Sequence, residues 1–159
     1  MTSEGALLER LKRKGMTLAV AESCTGGLLG GRITSVEGSS DVFLGGVICY
    51  SNRLKRDLLN VREDTLNSHG AVSENTAREM LSGLLERTGS DLGIAITGVA
   101  GPGGGSPEKP VGRVFIAVGS HSGSRVAGFN FDGDREMVQG QAVEEALEMM
   151  MMLLDTKAR

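Results

Sequence analysis

Two spacings of apolar residues alternate along this chain. Leu7, Leu8 and Leu11 fall on one helical face, between the charged Glu9, Arg10, Lys12 and Arg13, and predict a helix over residues 4–14. Thr17-Leu18-Ala19-Val20-Ala21 is a short apolar run of strand type, and after a turn Leu29, Ile33 and Val36 return to the helical spacing. Gly38, Ser39 and Ser40 mark a turn within residues 36–41, and residues 43–50 form a second strand-like run. Gly45 and Gly46 inside that run suggest a bulge or a close backbone approach. Ser51 or Asn52 can cap a short helix through Leu58 and Leu59, and residues 61–72 read as a polar connection. Ser73 opens the clearest helix of the first half, with Ala77, Met80, Leu81, Leu84 and Leu85 on its stripe and Thr88-Gly89 at its end.

The second half repeats the alternation. Residues 93–97 are apolar at nearly every position, as in a strand covered on both faces. Residues 111–118 and 125–131 are further strand-like runs, and residues 120–124 between them predict a hairpin turn, so the sheet is expected to be mixed. Asp134 is the expected cap of a final helix whose inner face carries Val138, Ala142, Ala146, Met149 and Leu153. The expected fold is α/β, a three-layer αβα arrangement with a mixed β-sheet, and residues 1–159 read as a single domain. A chain of 159 residues is long enough to bury roughly 70% of its unfolded surface without disulfides.

Composition narrows the partners. A net charge of −3, no dense Lys/Arg run, one Tyr and no Trp argue against a nucleic-acid binder. Cys24 and Cys49 lack metal-ligand spacing, and His69 and His121 stand far apart, so no metal site is expected. No run approaches the roughly 20 apolar residues of a membrane span, which leads to the expectation of no membrane partner and a cytoplasmic location with free thiols. The run Met149 to Met152 wraps around its helix, so some of it must face away from the core, which suggests a homo-oligomer.

The candidate chemistry gathers at three turns. Ser23 lies between a strand and a helix, where N–H groups at the helix start can stabilise an anion, and Gly26 and Gly27 give access to the backbone. Ser23 or Thr25 could equally be a simple cap, and Cys24 is a competing nucleophile. Lys55 falls in or beside the first turn of its helix, where the dipole and partial burial would lower its pKa and make it a base; the alternative is a solvated surface lysine. Residues 98–105 hold five glycines, and with Lys109 could form an anion-binding nest or a flexible linker. This loop is neither a P-loop nor a dinucleotide fingerprint, because the Gly-Lys-Ser/Thr ending and the third glycine are missing and a strand follows. Arg135 in the final helix's first turn could clamp a carboxylate or phosphate, or form an exposed ion pair. His69 is expected in a loop or at a helix end.

Taken in order, Ala21-Glu22-Ser23-Cys24-Thr25-Gly26-Gly27, Tyr50-Ser51-Asn52-x-x-Lys55, His69-Gly70-Ala71-Val72-Ser73, Thr97-Gly98-x-Ala100-Gly101-Pro102-x-Gly104-Gly105, Glu108-Lys109-Pro110-Val111-Gly112 and Gly133-Asp134-Arg135 resemble the CinA C-terminal domain family. The resemblance runs from about residue 5 to residue 154. It implies hydrolysis of the carboxamide of nicotinamide mononucleotide to nicotinic acid mononucleotide and ammonia, in pyridine-nucleotide salvage, without metal or organic cofactor. Carried onto matching positions, it makes Ser23 the nucleophile, Lys55 its base and Tyr50 an aid to proton transfer. The substrate is expected to meet Thr25, Gly26, Gly27, Asn52, Gly98, Ala100, Gly101, Gly104, Gly105, Lys109 and Arg135. Some relatives carry an additional N-terminal domain, and this chain is expected to act as the stand-alone deamidase type. The rival expectation is a non-catalytic nucleotide-sensing or partner-binding module using the same pocket.

Overall fold

The computed structural model describes residues 1–157, Lys157 through its backbone alone. In chain order its elements are α1 (Ser3–Lys14), β1 (Leu18–Glu22), α2 (Leu28–Thr34), a single 3₁₀ turn (Ser39–Asp41), β2 (Phe43–Ile48), α3 (Asn52–Leu59), α4 (Glu63–His69), α5 (Glu74–Thr88), β3 (Leu92–Gly98), β4 (Arg113–Ser120), β5 (Gly123–Asn130) and α6 (Arg135–Lys157). The strands form one mixed sheet in the order β2-β1-β3-β4-β5. β1 runs parallel to both β2 and β3, whereas β3, β4 and β5 form an antiparallel meander.

The side-chain period of two sorts the sheet residues by size. Leu18, Val20, Ile94, Ile96, Val114, Ile116 and Val118 face one layer, packed with core residues of α1, α2 and α6. Ala19, Ala21, Ala95 and Ala117 face the other, with α3 and α5. The small face lets α5 lie close to the sheet, and a Cβ on Gly93 would sit 2.7 Å from Leu81 of that helix.

Most helix ends carry the expected chemistry. Thr2 and Ser51 accept hydrogen bonds from Gly5 and Leu54 N–H at the starts of α1 and α3, and Asp134 accepts from Met137 N–H at the start of α6. Gly15 and Gly89 close α1 and α5 in the left-handed conformation.

The polar connection expected at 61–72 is instead largely helical, because α4 is anchored by hydrogen bonds rather than by an apolar stripe. Glu79 of α5 accepts from Arg62 N–H at 2.9 Å and from Thr65 Oγ1 at 2.5 Å. Strand β2 stops at Ile48, two residues before the expected end, since the carbonyls of residues 49 and 50 turn toward Lys55 Nζ. Val36 lies beyond α2 but still packs on the core, as does the half-buried Leu153. The inner face of α6 also takes in Val143, Leu147, Met150 and Leu154. Met149 and Met150 are buried, while Met152 is 51% exposed. Among the described residues, no helix is long and apolar enough to cross a membrane.

One close approach supports the region that carries Lys55. The end of α3 presses on α5 at Gly83, where a Cβ would overlap the carbonyl group of Leu59. Gly83→Ala should therefore cost about 3 kcal/mol in urea unfolding. Gly140→Ala, in the exposed and uncrowded part of α6, should instead stabilise by about 0.8 kcal/mol. Equal and small effects of the two substitutions would contradict this packing.

Candidate active site

Parallel β1 and β3 end side by side, and the site lies at their carboxyl ends, where open α/β sheets commonly bind ligands. Ser23 is the first residue after β1. Its N–H donates to Ile96 O on β3 at 3.0 Å, and its own carbonyl accepts from Gly26 N–H at 3.1 Å. The chain turns through left-handed glycines, Gly26 at φ 58° and Gly27 at φ 106°, before α2 begins.

The start of α2 is not open to a ligand in the way the sequence suggests. Glu22, only 2% exposed, folds its carboxylate over the helix end. That carboxylate accepts from Leu29 N–H and Gly30 N–H, each at 2.9 Å, and from Thr25 Oγ1 at 2.6 Å. An internal anion thus satisfies the dipole, and Thr25 is drawn inward to 1% exposure.

Lys55 is the largest departure from an ordinary surface residue. It is 1% exposed, and its Nζ donates to Cys49 O at 2.9 Å and Tyr50 O at 3.1 Å and is hydrogen-bonded to Ser23 Oγ at 2.9 Å. Burial holds its pKa below the ordinary lysine value, against a smaller opposing influence of the Cys49 and Cys24 thiols. The hydrogen-bond geometry is compatible with a neutral amine. Two N–H groups satisfy the two carbonyls, which can only accept, and the nitrogen lone pair is then free for the Ser23 hydroxyl proton. Burial also pushes the Cys24 thiol up to about 12, which disfavours its thiolate.

A pocket of about 400 Å³ opens over this pair. The Ser23 turn, Tyr50 and Lys55 form one side, and Thr97 through Ala100 with Gly101, Gly103 and Gly104 form another. Ala71 and Val72 close a third side, held there by a 2.8 Å hydrogen bond from Thr97 Oγ1 to Ala71 O. Arg135, exposed in the first turn of α6, completes the rim. Tyr50 is 62% exposed, contributes to the pocket lining and places its carbonyl on Lys55.

The residues anticipated from sequence divide accordingly. Ser23, Lys55, Tyr50, Gly98, Ala100, Gly101, Gly104 and Arg135 come together around the pocket. Thr25, Gly26, Gly27, Asn52 and Gly105 lie outside its lining. Lys109 is also elsewhere: its ammonium donates to His69 O, in a neighbouring hollow beyond Val72. Sequence reading passed over Glu22, whose role depends on a carboxylate folding back seven and eight residues, and Gln139, whose Nε2 donates to Cys24 O at 2.9 Å from 115 residues away. Among the described residues, no group of three or more His, Cys, Asp or Glu is placed to hold a metal ion.

The family model of the CinA C-terminal domain matches residues 2–154. The chain belongs to the CinA C-terminal domain family. A CinA-like protein of Thermotoga maritima is 49% identical over 156 residues, which are 98% of this chain and 38% of that protein. Another from Synechococcus sp. is 60% identical over 110 residues, 69% of this chain and 26% of the relative. The chain thus spans well under half the length of these curated CinA relatives. Among solved structures, a CinA superfamily protein of Klebsiella pneumoniae superposes with a TM-score of 0.92 at 34% identity, covering 98% of this chain and 99% of that one. A competence/damage inducible protein of Agrobacterium tumefaciens gives 0.86 at 40% identity, covering 98% and 97%.

Within this CinA domain, the Glu22 carboxylate should be a structural anchor for the Ser23 turn. Glu22→Gln replaces one acceptor oxygen by an NH₂ that cannot receive the α2 N–H groups, and removes the charge at the helix start. A loss of about 2 kcal/mol in thermal or urea unfolding is expected. Unchanged stability would show that the buried carboxylate is dispensable.

Proposed function

We propose that this CinA domain is a serine–lysine amidohydrolase that converts nicotinamide mononucleotide to nicotinic acid mononucleotide and ammonia. The observation that carries the reading is the 2.9 Å hydrogen bond between a buried Lys55 amine and the Ser23 hydroxyl beneath a 400 Å³ pocket. A buried amine with a lowered pKa beside a hydroxyl is the arrangement that activates an oxygen nucleophile without a histidine. The substrate identity rests on the family resemblance.

In this reaction Ser23 Oγ attacks the carboxamide carbon while Lys55 Nζ takes the hydroxyl proton. The tetrahedral intermediate collapses as the Lys55 ammonium returns that proton to the departing nitrogen. Ammonia leaves, and the acyl group remains on Ser23 as an ester. Lys55, neutral again, removes a proton from water, the resulting oxygen attacks the ester, and the acid departs as Ser23 regains its hydrogen. Tyr50 at the rim aids these proton transfers. The oxyanion needs donors other than Ser23 N–H, spent on Ile96, and the α2 N–H groups taken by Glu22. Backbone N–H groups of residues 24–25 and of loop residues 100, 101, 103 and 104 are assigned that task. Arg135 supplies positive charge at the rim for the phosphate. No cofactor takes part, and the reaction belongs to cytoplasmic pyridine-nucleotide salvage, carried out by a homo-oligomer.

Ammonia and nicotinic acid mononucleotide should form in equal amounts from the wild-type protein. Ser23→Ala should lower the rate at least about 10³-fold while retaining nucleotide binding. Full activity in that variant would remove Ser23 as nucleophile. Binding without product in the folded wild type would instead support a nucleotide-sensing role.

The pH dependence follows from the base. Because Lys55 must be neutral to act and burial lowers its pKa, kcat/KM should rise with pH through a value below that of ordinary lysine, then level off. An activity that falls across this range would contradict a neutral lysine base.

A further inference from the structure

We infer that Gln139 is a positioning residue for the Ser23 nucleophile. The inference rests on the serine–lysine reading above. Gln139 is half-buried on α6, one helical turn after Arg135, so the two residues share a face of that helix. Arg135 reaches the pocket, and the Gln139 Nε2 donates to Cys24 O at 2.9 Å. A carbonyl can only accept, so the Gln139 amide must present its NH₂ to it.

This bond reaches a part of the turn that its neighbours leave free. Ser23 N–H is held by Ile96 O, Ser23 O by Gly26 N–H, Thr25 O by Leu28 N–H and Thr25 Oγ1 by Glu22. The Cys24 carbonyl belongs to the Cys24–Thr25 peptide unit, one residue beyond Ser23, and Gln139 holds it from a separate element. The next residues include Gly26 and Gly27 with positive φ, so the turn gains little rigidity from side chains on that side. Fixing the Cys24–Thr25 peptide plane also fixes the direction of Thr25 N–H, because the two groups lie in one rigid unit. Gln139 thereby sets both the Ser23 position and the orientation of a backbone donor beside it. The same helix carries Arg135, so an anion held at the rim and the nucleophile turn share one mechanical support.

The test uses wild type, Gln139→Ala and Gln139→Glu, with melting temperatures measured for all three. The first readout is kcat and KM for nicotinamide mononucleotide. The second is the rate at which phenylmethanesulfonyl fluoride modifies Ser23, followed by intact mass; Ser23 Oγ forms the sulfonate ester, fluoride leaves, and Lys55 takes the proton. Gln139→Ala should lower kcat and the sulfonylation rate about tenfold, with KM within about twofold and the protein folded. Gln139→Glu can donate only when protonated, so its sulfonylation rate relative to wild type should fall as pH rises through the carboxylate range. Wild-type rates of sulfonylation in both folded variants would overturn the inference. Absence of amidase activity in the wild type, with Gln139-dependent sulfonylation retained, would overturn the substrate reading while supporting the positioning role.

Discussion

The burial of one amine governs the arrangement of this molecule. Lys55 could not stay at 1% exposure without acceptors for its hydrogens, and the chain supplies them by ending β2 early and turning two carbonyls inward. The amine then holds Ser23 from across the sheet edge. The cost of removing a charge from water becomes the lowered pKa that general-base chemistry requires. The close packing of α3 on α5 at Gly83 and the small-residue sheet face under α5 serve the same end, since they keep water from this side of the amine.

Helices α2 and α6 have different electrostatic duties. The N-terminus of α2 lies next to Ser23 but is neutralised from within by Glu22. The site's accessible positive charge comes instead from Arg135 at the start of α6. Dividing the work this way leaves the α2 end as a rigid support for the Ser23 turn, while the ligand-facing charge sits on a flexible side chain at the rim.

Much of the fold was legible because its elements have strong local signatures. The apolar stripe of α5, the fully covered β3 and the Asp134 cap of α6 each follow from spacing or turn chemistry. α4 was not legible, because Glu79 holds it through polar bonds that leave no periodic apolar trace. In the site, Ser23, Lys55 and Arg135 stood out by their positions at element junctions. Lys109 looked equally suitable from its glycine-rich surroundings, yet folding carries it beyond Val72 to the His69 carbonyl. Burial of Lys55 and the Gln139 link to Cys24 depend on long-range placement that no local pattern encodes.

The mixed sheet also sets an order of difficulty for self-assembly. The antiparallel hairpin β4–β5 closes over a two-residue turn, whereas β1 must find β3 across about seventy residues of intervening chain. Ser23 and the loop after β3 flank that distant seam, and Lys55 reaches it from α3, which packs on α5. The hydrogen-bonded Ser23–Lys55 pair is thus built from the part of the topology with the greatest loop-closure cost, so a chain that has formed only its local hairpin and helices holds neither a buried amine nor an aligned hydroxyl.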